Sequence, residues 1–236
     1  MKHTLHLHFR FCEAKARFMR SREIEEYKSK LSLSERQKEI LIGLILGDGH
    51  LEKLYTPTSG RLKVEHSCKQ KDYVDWIYKE FRNWVRSKPK AKKKKVWNKI
   101  YQNYGFLTYG HRLLGEFQEK FYRKGKKIIP NDLEKDITPL GLAIWYMDDG
   151  SIKSRKHKGL FLNTQGFEKN DVERLQKMLK NKFGISSTTR KEKNGKQIYL
   201  GGKSGEEFIT LIKPYIIPSM EYKIPRALRL TDLPKR

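Results

Sequence analysis

Two apolar segments of the chain each run without a break into aspartate and glycine. The first is LIGLILGDGH at residues 41–50, and the second is LAIWYMDDGS at residues 142–151. Neither alternates apolar and polar positions as a half-exposed strand does, so we predict two helices that are buried nearly all round. We expect them to end at Gly49 and Gly150, because glycine often follows the last turn of a helix.

The residues that precede each segment carry signals for the start of a helix. Ser34 and Gln37 have the spacing of a capping box, in which each side chain accepts a hydrogen bond from the other residue's backbone. Thr138 is a favoured N-cap, and Pro139 is favoured in the first helical turn. A helix buried on all sides must pack against another buried element, and we expect these two helices to pack against each other.

The residues after each segment share a second pattern. Residues 61–81 and 159–183 each predict a short strand, a polar turn and a helix with apolar positions three or four residues apart. Strands are also predicted at residues 100–109 and 197–200, and the lysine-rich residues 87–95 are predicted to form a loop.

Two lysines stand in matching positions further along the chain. Lys127 in KKIIP and Lys223 in EYKIP both lie just before isoleucine and proline. Lys223 follows Lys127 by 96 residues, and Asp149 follows Asp48 by 101. Landmarks that recur in one order at nearly one period indicate an internal duplication.

The duplication predicts an α+β protein with two pseudo-symmetric half-domains. Each half has the order helix, hairpin, helix, hairpin, helix. The predicted boundaries are residues 34–135 for the first half and residues 136–236 for the second half. Residues 1–33 lie outside the repeat and are predicted to form a basic N-terminal extension.

Charge identifies the kind of partner. The 236 residues include 52 Lys and Arg against 27 Asp and Glu, which gives a formal net charge of +25. Such a balance predicts a polyanionic partner, with nucleic acid as the first candidate. The two cysteines, Cys12 and Cys68, are too few for a disulfide framework or a structural zinc site. We expect an intracellular protein without a membrane span, because no signal peptide pattern and no long apolar stretch is found.

Joining the ends of the two buried helices concentrates negative charge. Asp48 and Asp149 would lie side by side at one end of the helix pair, where the helix dipoles add partial negative charge. Carboxylate and carbonyl oxygens with an open face suit Mg²⁺, which completes its coordination with water and phosphate oxygens. Together with a polyanionic partner, this predicts metal-assisted hydrolysis of phosphodiester bonds.

Simpler interpretations exist for several of these features. A single such aspartate is most simply an ordinary residue at a helix end, and a single lysine is most simply a solvated one; the duplication favours the catalytic interpretation. The segment GGKSGEEF at residues 201–208 resembles the end of a P-loop, but the position that requires glycine is Gln197, so we exclude nucleotide binding. His3, His6 and His8 alternate with apolar residues, which favours a strand with a polar face over a metal site.

The two motifs and their lysines resemble those of the monomeric, two-motif LAGLIDADG homing endonucleases. LIGLILGDG and LAIWYMDDG correspond to the paired family motifs, and KKIIPNDL, LNTQGF and LIKPYIIPSMEYKIP resemble segments of the omega-intron type. The resemblance covers about residues 30–230. It implies two αββαββα halves, packed through their motif helices, with saddle-shaped antiparallel sheets that lie in the DNA major groove.

The same resemblance implies a reaction and its residues. The expected reaction is Mg²⁺-dependent double-strand cleavage across the minor groove of a long asymmetric site, leaving short 3′ overhangs, with Mn²⁺ as a substitute metal. The implied metal acids are Asp48 and Asp149, with the carbonyls of Gly47 and Asp148 as further ligands. Lys127 and Lys223 match the basic residues that flank each scissile phosphate. The alternative is an RNA-binding maturase that assists the splicing of its host intron, which makes intron RNA a second candidate partner.

Charged and polar side chains of the predicted sheets are candidates for DNA contact. Arg61, Lys63 and Glu65 share one face of a strand, and the remaining candidates are Lys92, Lys93, Lys94, Lys95, Lys153, Arg155, Asn163, Gln165, Arg190 and Lys196. If the chain is encoded by an organelle intron, it would act in a mitochondrion or chloroplast.

The second motif departs from the first at two positions of the helix pair. Ile144 stands where the first motif has Gly43, and Asp148 stands where it has Gly47. We therefore expect an asymmetric contact between the two helices, with the side chain of Asp148 outside the metal shell.

Overall fold

A computed structural model describes residues 21–55, 59–154 and 157–229 of the protein, with only the backbone of Lys94 and Val96. The chain divides into two compact units, Met1–Leu33 and Ser34–Arg236. In the first unit, residues 21–29 are helical. The predicted strand around His3, His6 and His8 lies outside the described residues, as does Cys12.

The second unit begins with one full copy of the predicted repeat. Its elements, in chain order, are helix α1 (Glu35–Leu46), strands β1 (His50–Lys53) and β2 (Gly60–Ser67), helix α2 (Lys71–Glu80), strands β3 (Lys90–Val96) and β4 (Lys99–Leu107), and helix α3 (Arg112–Phe121). A short connection follows, with strands β5 (Tyr122–Arg123) and β6 (Lys126–Lys127) and helix α4 (Leu133–Asp136).

The other copy of the repeat follows this connection. Its elements are helix α5 (Pro139–Asp149), strands β7 (Gly150–Ile152) and β8 (Leu160–Leu162), helix α6 (Lys169–Phe183), strands β9 (Thr188–Glu192) and β10 (Gly195–Leu200), and helix α7 (Gly202–Ile212). Three short 3₁₀ helices follow at Lys213–Tyr215, Pro218–Lys223 and Arg226–Leu228.

The two copies form matching antiparallel sheets. Strand order is β1-β2-β4-β3 in one sheet and β7-β8-β10-β9 in the other. Each sheet buries apolar residues of a central strand on one face; Leu62 and Val64 are examples in β2, and Ile198 and Leu200 are examples in β10. The predicted α+β class with two αββαββα copies is therefore confirmed.

Both motif helices start where the sequence predicts. The Ser34 side chain accepts from the Gln37 backbone N–H, and the Gln37 side chain accepts from the Ser34 N–H. Thr138 accepts from the N–H of Gly141, with Pro139 in the first turn. The helices are buried without a break at residues 40–46 of α1 and residues 140–148 of α5, as their unbroken apolar sequences predict.

The two helices pack against each other along small residues. A Cβ atom added to Gly43 would lie 2.6 Å from the Cβ of Ile144 and would also overlap the carbonyl oxygen of Gly141. A side chain at Gly43 is therefore excluded by the close approach of the two backbones. Because Gly43 faces Ile144, the contact is asymmetric, as predicted.

The helix ends differ from the prediction in one of the two motifs. Helix α5 ends at Asp149, directly before Gly150, as predicted. Helix α1 ends at Leu46, because the N–H of Gly49 reaches the carbonyl of Leu44 at 2.8 Å, one residue beyond the α-helical spacing. The last turn is therefore wider and leaves Asp48 outside the helix.

The prediction of a loop at residues 87–95 was wrong from Lys90 onward. Residues Lys90–Val96 form strand β3, which pairs with β4 from Lys90 opposite Gly105 to Val96 opposite Lys99. Consecutive lysines have a low strand propensity, but the neighbouring strand supplies the backbone hydrogen bonds that offset it. The predicted strand at residues 100–109 corresponds to β4, and the one at residues 197–200 is the end of β10.

Candidate active site at the end of the helix pair

The motif aspartates meet at one end of the α1–α5 pair. Asp149 is the last residue of α5, and Asp48 lies two residues beyond the end of α1. The backbone N–H of Asp48 donates to Oδ2 of Asp148 at 3.0 Å, which links the two motifs directly. Helix C-termini carry partial negative charge, so this end of the helix pair concentrates anionic groups.

Each motif has a lysine that donates to the carbonyl just before its aspartate. The Nζ atom of Lys127, on β6, lies 2.6 Å from the carbonyl oxygen of Gly47. The Nζ atom of Lys223 lies 2.7 Å from the carbonyl oxygen of Asp148. The hydroxyl of Tyr146, on α5, donates to the backbone carbonyl of Lys223 at 2.7 Å. This hydrogen bond fixes the backbone that carries the second lysine. The two lysines therefore occupy equivalent positions in the two copies.

Burial disfavours the charged forms of two aspartates and both lysines in this cluster. Burial, together with the negative charges of Asp48 and Asp148, raises the pKa of Asp149 to about 7, against the opposing effect of the two lysines. Burial and the charge of Asp48 raise the pKa of Asp148 to about 7 as well. Burial lowers the pKa of Lys127 and of Lys223, although the nearby aspartates partly offset it. Carboxylates crowded in this way repel one another, and a cation would relieve the repulsion.

Two buried side chains beside the aspartates were not identified from the sequence. Tyr73 of α2 is fully buried, and its hydroxyl donates to Oδ1 of Asp148 at 2.8 Å. His66 of β2 is 6% exposed, with Nδ1 3.6 Å from Oδ2 of Asp48 and Nε2 3.7 Å from Oδ1 of Asp148. The one available signal was that His66 continues the apolar face of Leu62 and Val64.

The ligand atoms of Asp48, His66 and Asp148 lie within 4.8 Å of one another. This trio is poorly suited to Mg²⁺, because imidazole is not among the oxygen ligands that this ion prefers. The two ring nitrogens also face different carboxylates, and both oxygens of Asp148 already accept hydrogen bonds. The carboxylates of Asp48 and Asp149 and the carbonyls of Gly47 and Asp148 offer only oxygen atoms, which are the donors that a hard cation prefers.

Four of the predicted DNA-binding residues of the first sheet line one groove. Arg61, Lys63 and Glu65 alternate with buried residues of β2, and together with Lys92 they line a cavity of about 390 Å³. Glu65 accepts from the amide of Asn103 at 3.0 Å, which fixes its carboxylate on this face.

The four consecutive lysines do not all point the same way. Lys92 lies opposite Asn103 and shares the groove face, whereas Lys93 and Lys95 lie opposite Gln102 and Ile100 on the other face of the hairpin. The side chain of Lys94 lies outside the described residues.

In the second sheet, the predicted residues fall on different faces. Arg190 pairs with Gln197, whose amide donates to the side chain of Asn163, and these three lie on one face. Lys196 alternates with Gln197 and therefore lies on the opposite face, with the buried Ile198. Lys196 and Arg190 therefore lie on opposite faces of the second sheet.

The remaining candidates in the second half are near the ends of strands. Lys153 follows directly after β7, and its Nζ atom lies 5.6 Å from the centre of the Tyr199 ring. Gln165 lies in the turn after β8. Arg155 lies outside the described residues. None of the helices in the described parts of the chain is long and apolar enough to cross a membrane.

Comparison with known proteins identifies the class that this fold and site define. The chain matches the LAGLIDADG DNA endonuclease family over residues 38–208. It is 38% identical over 212 residues to the "Probable intron-encoded endonuclease 1" of Wickerhamomyces canadensis, covering 86% of this chain and 90% of that protein. The chain therefore belongs to the LAGLIDADG DNA endonuclease family, and its family and intron-encoded endonuclease relative indicate a DNA-cleaving hydrolase.

Two further relatives bear on its function. The structure titled "The homing endonuclease I-WcaI bound to its DNA recognition sequence" has a TM-score of 0.80 and 36% sequence identity, covering 85% of this chain and 91% of that one. The "Cytochrome b mRNA maturase bI2" of Debaryomyces hansenii is 32% identical over 198 residues, covering 81% of this chain and 74% of that protein.

Proposed function

We propose that this protein is a site-specific, double-strand DNA endonuclease of intron homing, of the omega-intron type, and that it acts as a monomer. The observation that carries the proposal is the junction of the two motifs. Asp48 and Asp149 lie at the joined helix ends, and Lys127 and Lys223 donate to the carbonyls before them. One chain would thus hold two sets of catalytic residues, one for each DNA strand.

The metal would be Mg²⁺, with Mn²⁺ as a substitute. The ligands in the two sets would be the carboxylates of Asp48 and Asp149, one for each set, with the carbonyl oxygens of Gly47 and Asp148. These donors fit because they are all oxygens, and because the pKa of Asp149 is raised to about 7 by burial and neighbouring carboxylates that a divalent cation would neutralise. When bound, the ion would supply Lewis-acid stabilisation of the phosphate charge.

The lysines would act on the scissile phosphates directly. Their ammonium groups already sit at the carbonyls that precede each aspartate. A positive charge held beside a scissile phosphate stabilises the negative charge that builds up on its oxygens. Burial lowers the pKa of both Lys127 and Lys223, which also brings proton exchange closer to neutral pH.

DNA would lie along the open faces of the two sheets. Residues that line the first groove, such as Arg61 and Lys63, would contact base edges in the major groove. Cleavage would then occur across the minor groove of a long asymmetric site and leave short 3′ overhangs. A relative with the same fold is bound to its DNA recognition sequence, which supports DNA as the partner.

A second candidate function is assistance to intron splicing. It is favoured by the relative whose name is cytochrome b mRNA maturase, at 32% identity. Host intron RNA would then be a further partner. The retention of both aspartates and both lysines in this chain favours DNA cleavage as the main activity.

The domain organisation and location follow from this proposal. The half-domains would be residues 34–135 and 136–236, after a basic extension at residues 1–33. The protein would act inside the cell, in a mitochondrion or chloroplast if an organelle intron encodes it.

The experiment that tests the proposed function is cleavage of a randomised double-stranded DNA library, followed by sequencing of the ends. We expect Mg²⁺-dependent ends at one long asymmetric site, with short 3′ overhangs. Undiminished cleavage in EDTA would exclude the metal mechanism. Binding of intron RNA without any DNA cleavage would instead support the maturase.

A further inference from the structure

The backbone N–H of Asp48 has its acceptor on the other motif rather than in the last turn of α1. After α1 ends at Leu46, the N–H of Gly47 donates to Gly43 and the N–H of Gly49 donates to Leu44. The wider last turn therefore gives the N–H of Asp48 no acceptor within this segment. Its acceptor is Oδ2 of Asp148, 3.0 Å away on the other motif.

The carboxyl group of Asp148 is held on both sides. Its side chain is fully buried, and its second oxygen accepts from the hydroxyl of Tyr73 at 2.8 Å. Tyr73 is itself fully buried in α2 of the first copy. Two hydrogen bonds, both from the first copy, thus fix the orientation of a carboxylate that belongs to the second.

Gly47 makes room for this contact. A Cβ atom at position 47 would lie 2.5 Å from Oδ2 of Asp148. The differences between the motifs are therefore complementary: the residue before Asp48 has no side chain, and the residue before Asp149 fills that space with a carboxylate. Because Gly47 offers no carboxylate in return, the arrangement serves one motif only.

We propose that Asp148 is a positioning residue for Asp48, and that Tyr73 orients it. This inference rests on the proposed endonuclease function. The carboxylate of Asp148 fixes the turn that carries Asp48, and with it the direction of the Asp48 side chain. Loss of this contact leaves the N–H of Asp48 without its acceptor and allows the turn to move, which costs precision in the first catalytic set alone.

The consequence is a strand-specific dependence. Cleavage of the DNA strand served by Asp48 requires the contact with Asp148, whereas cleavage of the strand served by Asp149 does not. A residue with a purely structural role would weaken both strands together.

The test measures the cleavage rate of each strand separately, in a duplex target labelled differently on its two strands. Asp48→Asn and Asp149→Asn, assayed with Mn²⁺, identify the strand that each aspartate serves. We expect Asp148→Ala to lower the rate on the Asp48 strand about tenfold more than on the other strand, because a buried hydrogen bond is lost. Asp148→Asn should retain most of the activity, since its amide oxygen can still accept from Asp48.

Tyr73→Phe provides a test that keeps the shape of the core. It should produce the same strand bias, about threefold, because Asp148 then loses one of its two restraints. The matched control is Tyr104→Phe. Tyr104, on β4, donates to Asp75 of α2 at 2.9 Å, so this variant also removes a tyrosine–aspartate hydrogen bond. This control should produce no strand bias.

A readout independent of cleavage separates this inference from the proposed function. Amide hydrogen exchange at Asp48 should accelerate in Asp148→Ala and in Tyr73→Phe, relative to the wild type and to Tyr104→Phe. Equal losses on both strands, or unchanged exchange at Asp48, would overturn the positioning role. A wild-type protein that cuts no DNA would overturn the proposed function, whereas the exchange result would still decide whether Asp148 holds Asp48.

Discussion

At the scale of single residues, Asp149 occupies an unfavourable position. It is largely buried, and its carboxylate lies near those of Asp48 and Asp148. Its pKa is therefore raised from an ordinary value of 3.8 to about 7. The fold holds this carboxylate close to two others that repel it. The repulsion raises the affinity of the site for a cation and lowers the stability of the metal-free protein.

We predict that Asp149→Asn stabilises the metal-free protein relative to the wild type, by an amount that grows as the pH rises. The folded state binds the proton of Asp149 more tightly than the unfolded state does, so wild-type stability falls as the pH rises from 3.8 to about 7. The asparagine variant lacks this loss, and its advantage should grow across that window by at most about 1.4 kcal/mol per pH unit. Denaturant unfolding in EDTA at several pH values measures the difference.

The matched control for this prediction is Asp132→Asn. A hydrogen bond from Lys120 holds the pKa of Asp132 below its ordinary value, so this substitution should destabilise the protein at neutral pH. If the advantage of Asp149→Asn does not change with pH, Asp149 does not carry the strain we assign to it.

The sequence was sufficient to identify the residues that meet at the motifs, but not those that approach from elsewhere. The aspartates and lysines repeat at nearly one period, so the chain itself marks them. Tyr73 and His66 reach Asp148 only through the packing of α2 and β2 against the helix pair. Nothing in their local sequence signals this contact, because both occupy ordinary buried positions of their elements.

At the scale of elements, the β3–β4 hairpin shows where local sequence is misleading. Its lysines predict a loop, but pairing with β4 makes residues Lys90–Val96 a strand. The motif helices and their caps were predictable, because buried periodicity and capping residues act locally. The wider last turn of α1 could not be predicted, because the acceptor for the N–H of Asp48 is the side chain of Asp148 on another helix.

Because alternate lysines of β3 lie on opposite faces of the hairpin, they should contribute unequally to DNA binding. Lys92 shares the groove face with Arg61 and Lys63, whereas Lys93 points to the other face. We expect Lys92→Ser to reduce the slope of log affinity against log salt concentration by about 0.9, the value of one phosphate contact. Lys93→Ser removes the same charge and should reduce the slope less. The measurement is a titration of target DNA at several salt concentrations; equal effects would show that the hairpin acts only through its net charge.

At the scale of the whole molecule, duplication and charge have distinct roles. The duplication supplies two aspartates and two lysines in one chain, and the helix pair α1–α5 joins them at one end. The net charge of +25 supplies attraction for a polyanion without choosing its sequence. The fold class could be predicted because the repeat is visible in the sequence, whereas the faces of individual strands, such as that of Lys196, depend on the pairing register.

The most direct test of the account compares Asp48→Asn and Asp149→Asn with the wild type on a supercoiled plasmid that carries the target site. Each substitution keeps the shape of the side chain and removes one negative charge. Neither variant should produce linear DNA at the wild-type rate in Mg²⁺, because the metal loses a ligand. In EDTA, both should bind the target at least as tightly as the wild type, since a carboxylate near the phosphates has been removed. Wild-type linearisation by either variant, or loss of binding in step with cleavage, would contradict the claim that these two aspartates form the active site.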